Sequence, residues 1–131
     1  MLKVWGRKNF INVQKVLWCC EELGLPYERI DAGGPFGLTR DPEYLARNPN
    51  ALVPTISDDE FVLWESNAIV RYLATRHGSG AMWPEDLRER ADAERWMDWQ
   101  LRRADEKVGT PKNPRPSAEL LYGVGSAYEP P

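Results

Sequence analysis

Two short stretches of this sequence combine residue types that favour ligand binding. Val53-Pro54 is an X-Pro step that leads into a short apolar strand, and Glu65-Ser66 is a polar pair at a predicted strand-to-helix junction. A serine at the start of a helix lies where free N–H groups and the helix dipole attract an anion. The residue pattern alone also permits simpler roles, since Pro54 can begin an edge strand as an ordinary trans proline and Ser66 can be a plain N-cap beside a solvated acid. Only a short predicted hairpin separates the two stretches, so the fold can place them side by side.

Composition excludes several classes of protein. A chain of 131 residues suits one domain, or one domain with a fragment of a second. A hydrophobic content of 42% with six tryptophans favours a packed globule. The net charge of −3 argues against a nucleic-acid partner. Apolar runs fall well short of the roughly 20 residues of a membrane span, so no membrane association is predicted.

The two cysteines, Cys19 and Cys20, are neighbours in the chain. Adjacent residues of a helix point about 100° apart, so this pair predicts neither a metal site nor an easy disulfide. At least one of them is expected to act as a small core hydrophobe. Reduced thiols are typical of a cytoplasmic protein.

Hydrophobic periodicity predicts the elements that position these residues. A strand over Leu2–Trp5 is followed by a helix that starts with Asn12 as N-cap and ends before Gly24. A second strand over Tyr27–Ile30 completes a βαβ unit, whose two strands should be parallel.

The rest of the predicted domain contains two helices and a hairpin. A short helix begins with Asp41 as its cap and Pro42 in its first turn. Strands over 55–57 and 61–64 form an antiparallel hairpin, and Ser66 caps a helix that ends near His77. The predicted order is therefore β-α-β-α-β-β-α.

The C-terminal part has a different character. A long helix is predicted from about Glu85 to Gln100 or beyond, and residues 101–131 hold five of the eleven prolines. Residues 1–80 are thus predicted to form one α/β domain. Residues 85–131 are predicted to form the start of an all-α domain, with a Pro-rich, poorly structured tail from about residue 108.

Three segments resemble cytosolic glutathione transferases. The run NPNALVPTI at 48–56 resembles their NPxGxVPxL motif, and WESNAIVRYL at 64–73 resembles ESxAIxxYL. Residues 12–16 and 21–27 resemble their first helix and second strand. The resemblance implies a thioredoxin-like domain followed by an all-helical domain, with glutathione as co-substrate, no metal, and a homodimer.

The resemblance also implies roles for individual residues. The backbone of Val53, before an X-Pro bond that is typically cis in this fold, pairs with the cysteinyl backbone of glutathione, and Pro54 fixes that step. Ser66 receives the γ-glutamyl carboxylate, and Glu65 pairs with the ammonium group. The glycine carboxylate needs a cation, for which Arg40 and Lys8 are candidates by location.

The sequence departs from the family in two places. The tyrosine, serine or cysteine that the family usually places near the start of the first helix is missing, because Asn9-Phe10-Ile11 stands there. Asn12 is therefore the candidate catalytic residue, an amide donor that stabilises the thiolate without acting as a base, with a simple N-cap as the alternative. Only the first helix of the family's helical domain is recognisable, and we hypothesise a truncation or a reading-frame change after about Gln100.

Two functions follow from the resemblance. The first is a transferase that binds glutathione, stabilises its thiolate and adds it to a small electrophile. The alternative is a truncated transferase that serves as a non-catalytic glutathione-binding or interaction module. A thiol-disulfide oxidoreductase is excluded because it needs a cysteine at the first helix start.

Overall fold

The computed structural model describes residues 1–78 and 80–107, with side chains as far as residue 102. The described chain forms two compact units, Met1–Arg90 and a second from Ala91 onward. The predicted Pro-rich tail from about residue 108 lies outside the described residues. The elements of the first unit follow the predicted order: β1 Leu2–Trp5, α1 Ile11–Glu22, β2 Tyr27–Ile30, a 3-10 turn Gly34–Phe36, α2 Pro42–Arg47, β3 Thr55–Asp58, β4 Phe61–Trp64 and α3 Ser66–Gly78. A last helix, α4, covers Leu87–Lys107.

The four strands form one mixed sheet in the order β2-β1-β3-β4. β1 and β2 are parallel, as the βαβ unit predicts, and the two other pairs are antiparallel. This arrangement of parallel βαβ unit and antiparallel hairpin confirms the predicted thioredoxin-like α/β domain.

Apolar side chains pack on both faces of the sheet, because successive strand residues point to opposite sides. On one face, Val4 and Ile56 pack with helices α1 and α3. On the other face, Trp5 and Tyr44 form a smaller cluster. Both cysteines lie in the first cluster, 3% and 0% exposed for Cys19 and Cys20, as expected for small core hydrophobes.

Helix α4 starts two residues later than its predicted start at Glu85. The Asp86 carboxylate accepts hydrogen bonds from the backbone N–H groups of Arg88 and Glu89, at 3.1 and 3.0 Å, so Asp86 caps the helix. Farther along, the rings of Trp96 and Trp99 meet edge to face with centroids 5.6 Å apart. Within the described part of the chain, no helix is long and apolar enough to cross a membrane.

Candidate functional site

Four connecting segments meet at one edge of the sheet, where strands β1, β2 and β4 end and strand β3 begins. Thr55, the first residue of β3, is paired with Trp64, the last residue of β4, so Val53-Pro54 and Glu65-Ser66 leave the hairpin at the same end. Trp5 at the end of β1 is paired with both Thr55 and Ile30. The loop that follows β1 and the loop that follows β2 therefore open onto this edge as well.

The Val53–Pro54 peptide bond is cis. The simpler interpretation of Pro54 as an ordinary trans proline is therefore wrong. The Val53 side chain packs against the cluster formed by Trp5, Ala32 and Tyr44. Among the described residues, the backbone N–H and C=O of Val53 have no hydrogen-bond partner, so both groups are available to an extended ligand.

A buried polar network supports the segment that carries Val53. The Tyr44 hydroxyl donates to the Leu52 carbonyl at 2.5 Å and lies 2.8 Å from the Thr55 hydroxyl oxygen. The Asn48 amide donates to the same two groups at 3.0 and 3.1 Å, and its oxygen accepts from the Asn50 backbone N–H at 2.9 Å. Helix α2 and strand β3 thus fix the backbone on both sides of the Val53–Pro54 step.

Glu65 and Ser66 lie at the start of α3. The helix cap is one residue earlier than predicted. The Glu65 carbonyl accepts the Ile69 N–H at 2.9 Å, so Glu65 takes the cap position and Ser66 is the first helical residue. Glu65 has φ of 82°, a left-handed conformation that costs a non-glycine residue about 1–2 kcal/mol. Ser66 is only 3% exposed, and its hydroxyl has no partner among the described residues.

Asn12 lies in the first turn of α1, but it is not the N-cap. Phe10 takes that position because its carbonyl accepts the Gln14 N–H at 3.0 Å, and α1 begins at Ile11. The predicted capping role of Asn12 is therefore wrong. Its side-chain oxygen is buried without a hydrogen-bond partner in the described chain, which leaves the amide side chain uncommitted to the fold.

Lys15 and Asn67 form a contact that the sequence analysis missed. The Lys15 ammonium donates to the Asn67 side-chain oxygen at 2.8 Å and thereby links α1 to the start of α3. Burial lowers the pKa of Lys15, and the nearby Glu65 carboxylate partly opposes this shift. Lys15 follows Asn12 by three residues, so both lie on the same side of α1.

Arg40 and Lys8, the predicted cations for the glycine carboxylate, lie in two different connecting segments. Arg40 is exposed in the segment before α2 and makes no hydrogen bond or ion pair with any residue that the structure describes. Lys8 is exposed in the loop after β1. Arg7, which the sequence analysis did not consider, is half-buried in that same loop.

The two cysteines are unsuited to nucleophilic chemistry. Burial raises the pKa of Cys19 to about 11 and the pKa of Cys20 to about 12. Both thiols therefore stay protonated near neutral pH, whereas a reactive cysteine needs a thiolate. Among the side chains that the structure describes, those of residues 1–78 and 80–102, no group of His, Cys, Asp or Glu is arranged to hold a metal ion.

Comparison with known proteins identifies the family to which this chain belongs. Residues 12–76, which include the cis Val53–Pro54 step and the start of α3, match the family profile "Glutathione S-transferase, N-terminal domain". The chain belongs to the cytosolic glutathione S-transferase family and carries its N-terminal domain.

Individual relatives give the same result. The Escherichia coli K12 protein "Glutathione S-transferase GstB" is 55% identical over 101 residues, which cover 76% of this chain and 49% of that protein. The rice "Probable glutathione S-transferase GSTF2" (Oryza sativa subsp. japonica) is 32% identical over 97 residues, or 74% of this chain and 45% of that one. The chain thus spans about half the length of the curated relatives it matches.

A solved structure shows the same similarity. The theta-class glutathione S-transferase from Xanthomonas axonopodis pv. citri, solved with glutathione bound, is 52% identical and superposes with a TM-score of 0.74. The match covers 76% of this chain and 48% of that one.

Proposed function

We propose that this chain binds glutathione along the edge of the sheet and that the protein transfers it to a small electrophile. The observation that carries the proposal is the start of α3. Ser66 presents an unpartnered hydroxyl and helix N-terminal N–H groups, and Glu65 is held beside it in a left-handed conformation. Strained backbone of this kind is typical of functional positions.

Glutathione matches the groups that this edge presents. Its γ-glutamyl carboxylate takes the Ser66 hydroxyl and the free N–H groups of α3, and its ammonium group pairs with Glu65. The cysteinyl backbone pairs with the unbonded N–H and C=O of Val53, as an added strand pairs with a sheet edge. Pro54 and the Tyr44 network keep this backbone in place.

Asn12 is the proposed thiol-stabilising residue. Lowering a thiol pKa by about two units requires roughly 2.7 kcal/mol of preferential thiolate stabilisation. The first turn of α1 supplies free N–H groups, and the Asn12 amide supplies a further donor to the sulfur. The thiolate then attacks the electrophile, forming a carbon–sulfur bond as the leaving group departs with its electron pair.

Calorimetric titration of the chain with glutathione tests the binding site. Ser66→Ala and Glu65→Gln should each weaken binding about tenfold or more, as expected for hydrogen bonds to charged groups. Ser57→Ala and Glu60→Gln are matched controls on the same hairpin and should leave the affinity unchanged. Wild-type affinity in both site variants would contradict the proposed site.

Conjugation to a chlorodinitrobenzene tests the transferase activity. The transferase is preferred over the non-catalytic module because the relatives are described as transferases. A conjugation rate that is lower in Asn12→Ala than in the wild type would support the transferase. Binding without turnover over the background rate would favour the alternative.

A second copy of this chain is the proposed macromolecular partner. Phe61 and Val62 of β4 leave 47% and 37% of their surface exposed on an outer strand of the sheet, as apolar surface that an interface can cover. Sedimentation of the wild type and of Phe61→Ser tests whether the chain forms a dimer through this strand.

We also propose a cytoplasmic location, supported by the two free cysteines and testable by cell fractionation.

A further inference from the structure

A buried valine of α1 lies directly against the backbone of Gly6, in the loop after β1. A Cβ added to Gly6 would come within 2.4 Å of one γ-methyl carbon of Val13 and within 3.0 Å of the other, so a side chain fits at Gly6 only if Val13 moves. Val13 is 0% exposed and follows Asn12 in the first turn of α1. The contact therefore sets how closely the turn that carries Asn12 approaches the loop after β1.

Strand β2 holds Gly6 in this position. The Gly6 backbone N–H donates to the Ile30 carbonyl at 2.9 Å, and the Gly6 carbonyl accepts a hydrogen bond from Arg29 Nη1 at 3.1 Å. The Arg29 guanidinium is itself paired with Asp31 at 2.5 Å. Both polar groups of the Gly6 backbone are thus bonded to β2, so Gly6 cannot retreat from Val13 without breaking these bonds.

The position of the Asn12 amide depends on this support. Its side-chain oxygen is buried without a hydrogen-bond partner among the described residues, so no bond to that oxygen fixes the amide. The amide therefore follows the backbone of the first turn of α1. A displacement of about 1 Å in such a group can lower a reaction rate about a hundredfold.

We infer that Gly6 and Arg29 are positioning residues, which hold the first turn of α1 where the Asn12 amide reaches the sulfur of glutathione. The inference rests on the proposed function. Val53 has a separate support in Tyr44 and α2. A disturbance at Gly6 should therefore change the ionisation of the bound thiol and leave the binding of the rest of the ligand in place.

Two measurements on Gly6→Ala test the inference. Thiolate absorbance against pH gives the pKa of the bound glutathione thiol, and calorimetric titration with S-methylglutathione gives the affinity for a ligand without an ionisable thiol. Gly6→Ala should raise the thiol pKa by about one unit, which lowers the thiolate fraction at a lower pH about tenfold. The affinity for S-methylglutathione should be unchanged, which also shows that the variant is folded. The substitution changes no charge, so the rise reports displacement of the amide.

A double variant tests whether the effect is steric. Gly6→Ala combined with Val13→Ala removes the two γ-methyl groups that the new Cβ would meet and leaves the Val13 Cβ at 3.3 Å. It should return the thiol pKa to that of Val13→Ala alone, which is measured beside it to separate lost packing from the relieved clash. Gly24→Ala is the control at the other end of α1, because a Cβ there has nothing within 4 Å. It should leave the thiol pKa unchanged.

Arg29 is tested by a conservative rescue. Arg29→Met removes the donor to the Gly6 carbonyl and should raise the thiol pKa, whereas Arg29→Lys keeps a cationic donor and should restore most of it. Arg95→Met is the matched control, since the carboxylate partner of Arg95 is Asp92 on the same helix. It should leave the thiol pKa unchanged.

Three outcomes would count against the inference. Equal thiol pKa values in the wild type, Gly6→Ala and Arg29→Met would overturn it and leave the proposed function standing. A raised pKa in Gly6→Ala that the double variant does not reverse would overturn the steric role of Gly6. If Gly6→Ala does not fold, equal thiol pKa values in the wild type and Arg29→Met would overturn the inference. A wild type that binds neither ligand would overturn the proposed function as well.

Discussion

The hydroxyl of Tyr44 in α2 lies 2.8 Å from the hydroxyl oxygen of Thr55 in β3, and both residues are buried. The same Tyr44 hydroxyl donates to the Leu52 carbonyl. These contacts tie helix α2 to both ends of the short segment that contains Val53. The geometry of the proposed ligand-binding edge therefore depends on a residue that is itself buried.

Tyr44→Phe should destabilise the chain by about 1–2 kcal/mol, because the Leu52 carbonyl and the Thr55 hydroxyl each lose one of their two buried hydrogen-bond partners. It should also weaken glutathione binding, since the Leu52–Thr55 segment loses one of its two supports. Urea unfolding and calorimetric titration measure the two effects. Tyr27→Phe is the control, because it removes only an exposed bond to Glu21 and should change stability by less than about 0.5 kcal/mol. Equal stability losses in the two variants would contradict this assignment.

Ala51→Gly should stabilise the chain by about 0.5–1 kcal/mol. Ala51 has φ of 57°, where a Cβ costs about 1–2 kcal/mol, and glycine removes this cost at a smaller loss of conformational entropy. Thermal and urea unfolding check the sign. Ala46→Gly, an exposed position within α2, should have the opposite effect and destabilise by about 0.5–1 kcal/mol. A destabilised Ala51→Gly variant would contradict the left-handed conformation.

Asn12→Ala should separate stability from thiol activation. The substitution removes a buried oxygen that lacks a partner among the described residues, so the free chain should become more stable by about 1 kcal/mol. The pKa of the bound glutathione thiol should rise because a donor to the sulfur is lost. Unfolding measures the first effect, and thiolate absorbance against pH measures the second. Asn9→Ala, an exposed neighbour, should change neither, and an unchanged thiol pKa in Asn12→Ala would remove Asn12 from the site.

The stability of the chain should fall at alkaline pH as the cysteines ionise. Burial raises the pKa of Cys20 to about 12 from an ordinary value near 9, so between these pH values the unfolded chain has lost a proton that the folded chain retains. The stabilising contribution is complete below about pH 9 and decreases by up to about 1.4 kcal/mol per pH unit above it.

Urea unfolding of the wild type and of Cys20→Ala between pH 8 and about pH 11 isolates this effect. Cys20→Ala should start from a lower stability and lose less of it as the pH rises. Parallel curves for the two proteins would show that the Cys20 thiol ionises equally in the folded and unfolded chains.

The sequence predicted most of the fold because local patterns determine it. β1 and β4 were predicted with their observed ends, since each is an apolar run bounded by turn residues. The predicted starts of α1 and α3 were less accurate. Asn12 and Ser66 were both predicted as caps, but Phe10 and Glu65 occupy these positions because their carbonyls accept the first hydrogen bonds. More than one residue near the start of each helix can take the N-cap position. The backbone conformation of the folded chain decides which residue takes it.

Contacts between distant segments escaped the sequence analysis. Lys15 and Asn67 are 52 residues apart, and their hydrogen bond exists only because α1 and α3 pack on the same face of the sheet. Arg7 was not among the predicted cations, and its contacts with the Phe10 ring and the Gly34 backbone are visible only in the fold. Arg40 had a suitable charge, but no described contact holds it in place. Charge can be seen in a sequence, whereas the support that orients a charge cannot.

Ser66, the first residue of α3, begins the helix that also carries Ile69 and Leu73 into the hydrophobic core. A ligand held at Ser66 therefore binds only when that core is assembled. Occupancy and folding then become linked equilibria, and a ligand at one hundred times its Kd should add about 2.7 kcal/mol to the free energy of unfolding. The melting temperature of the chain should consequently rise with glutathione concentration, so that the proposed ligand also affects how much of the protein is folded.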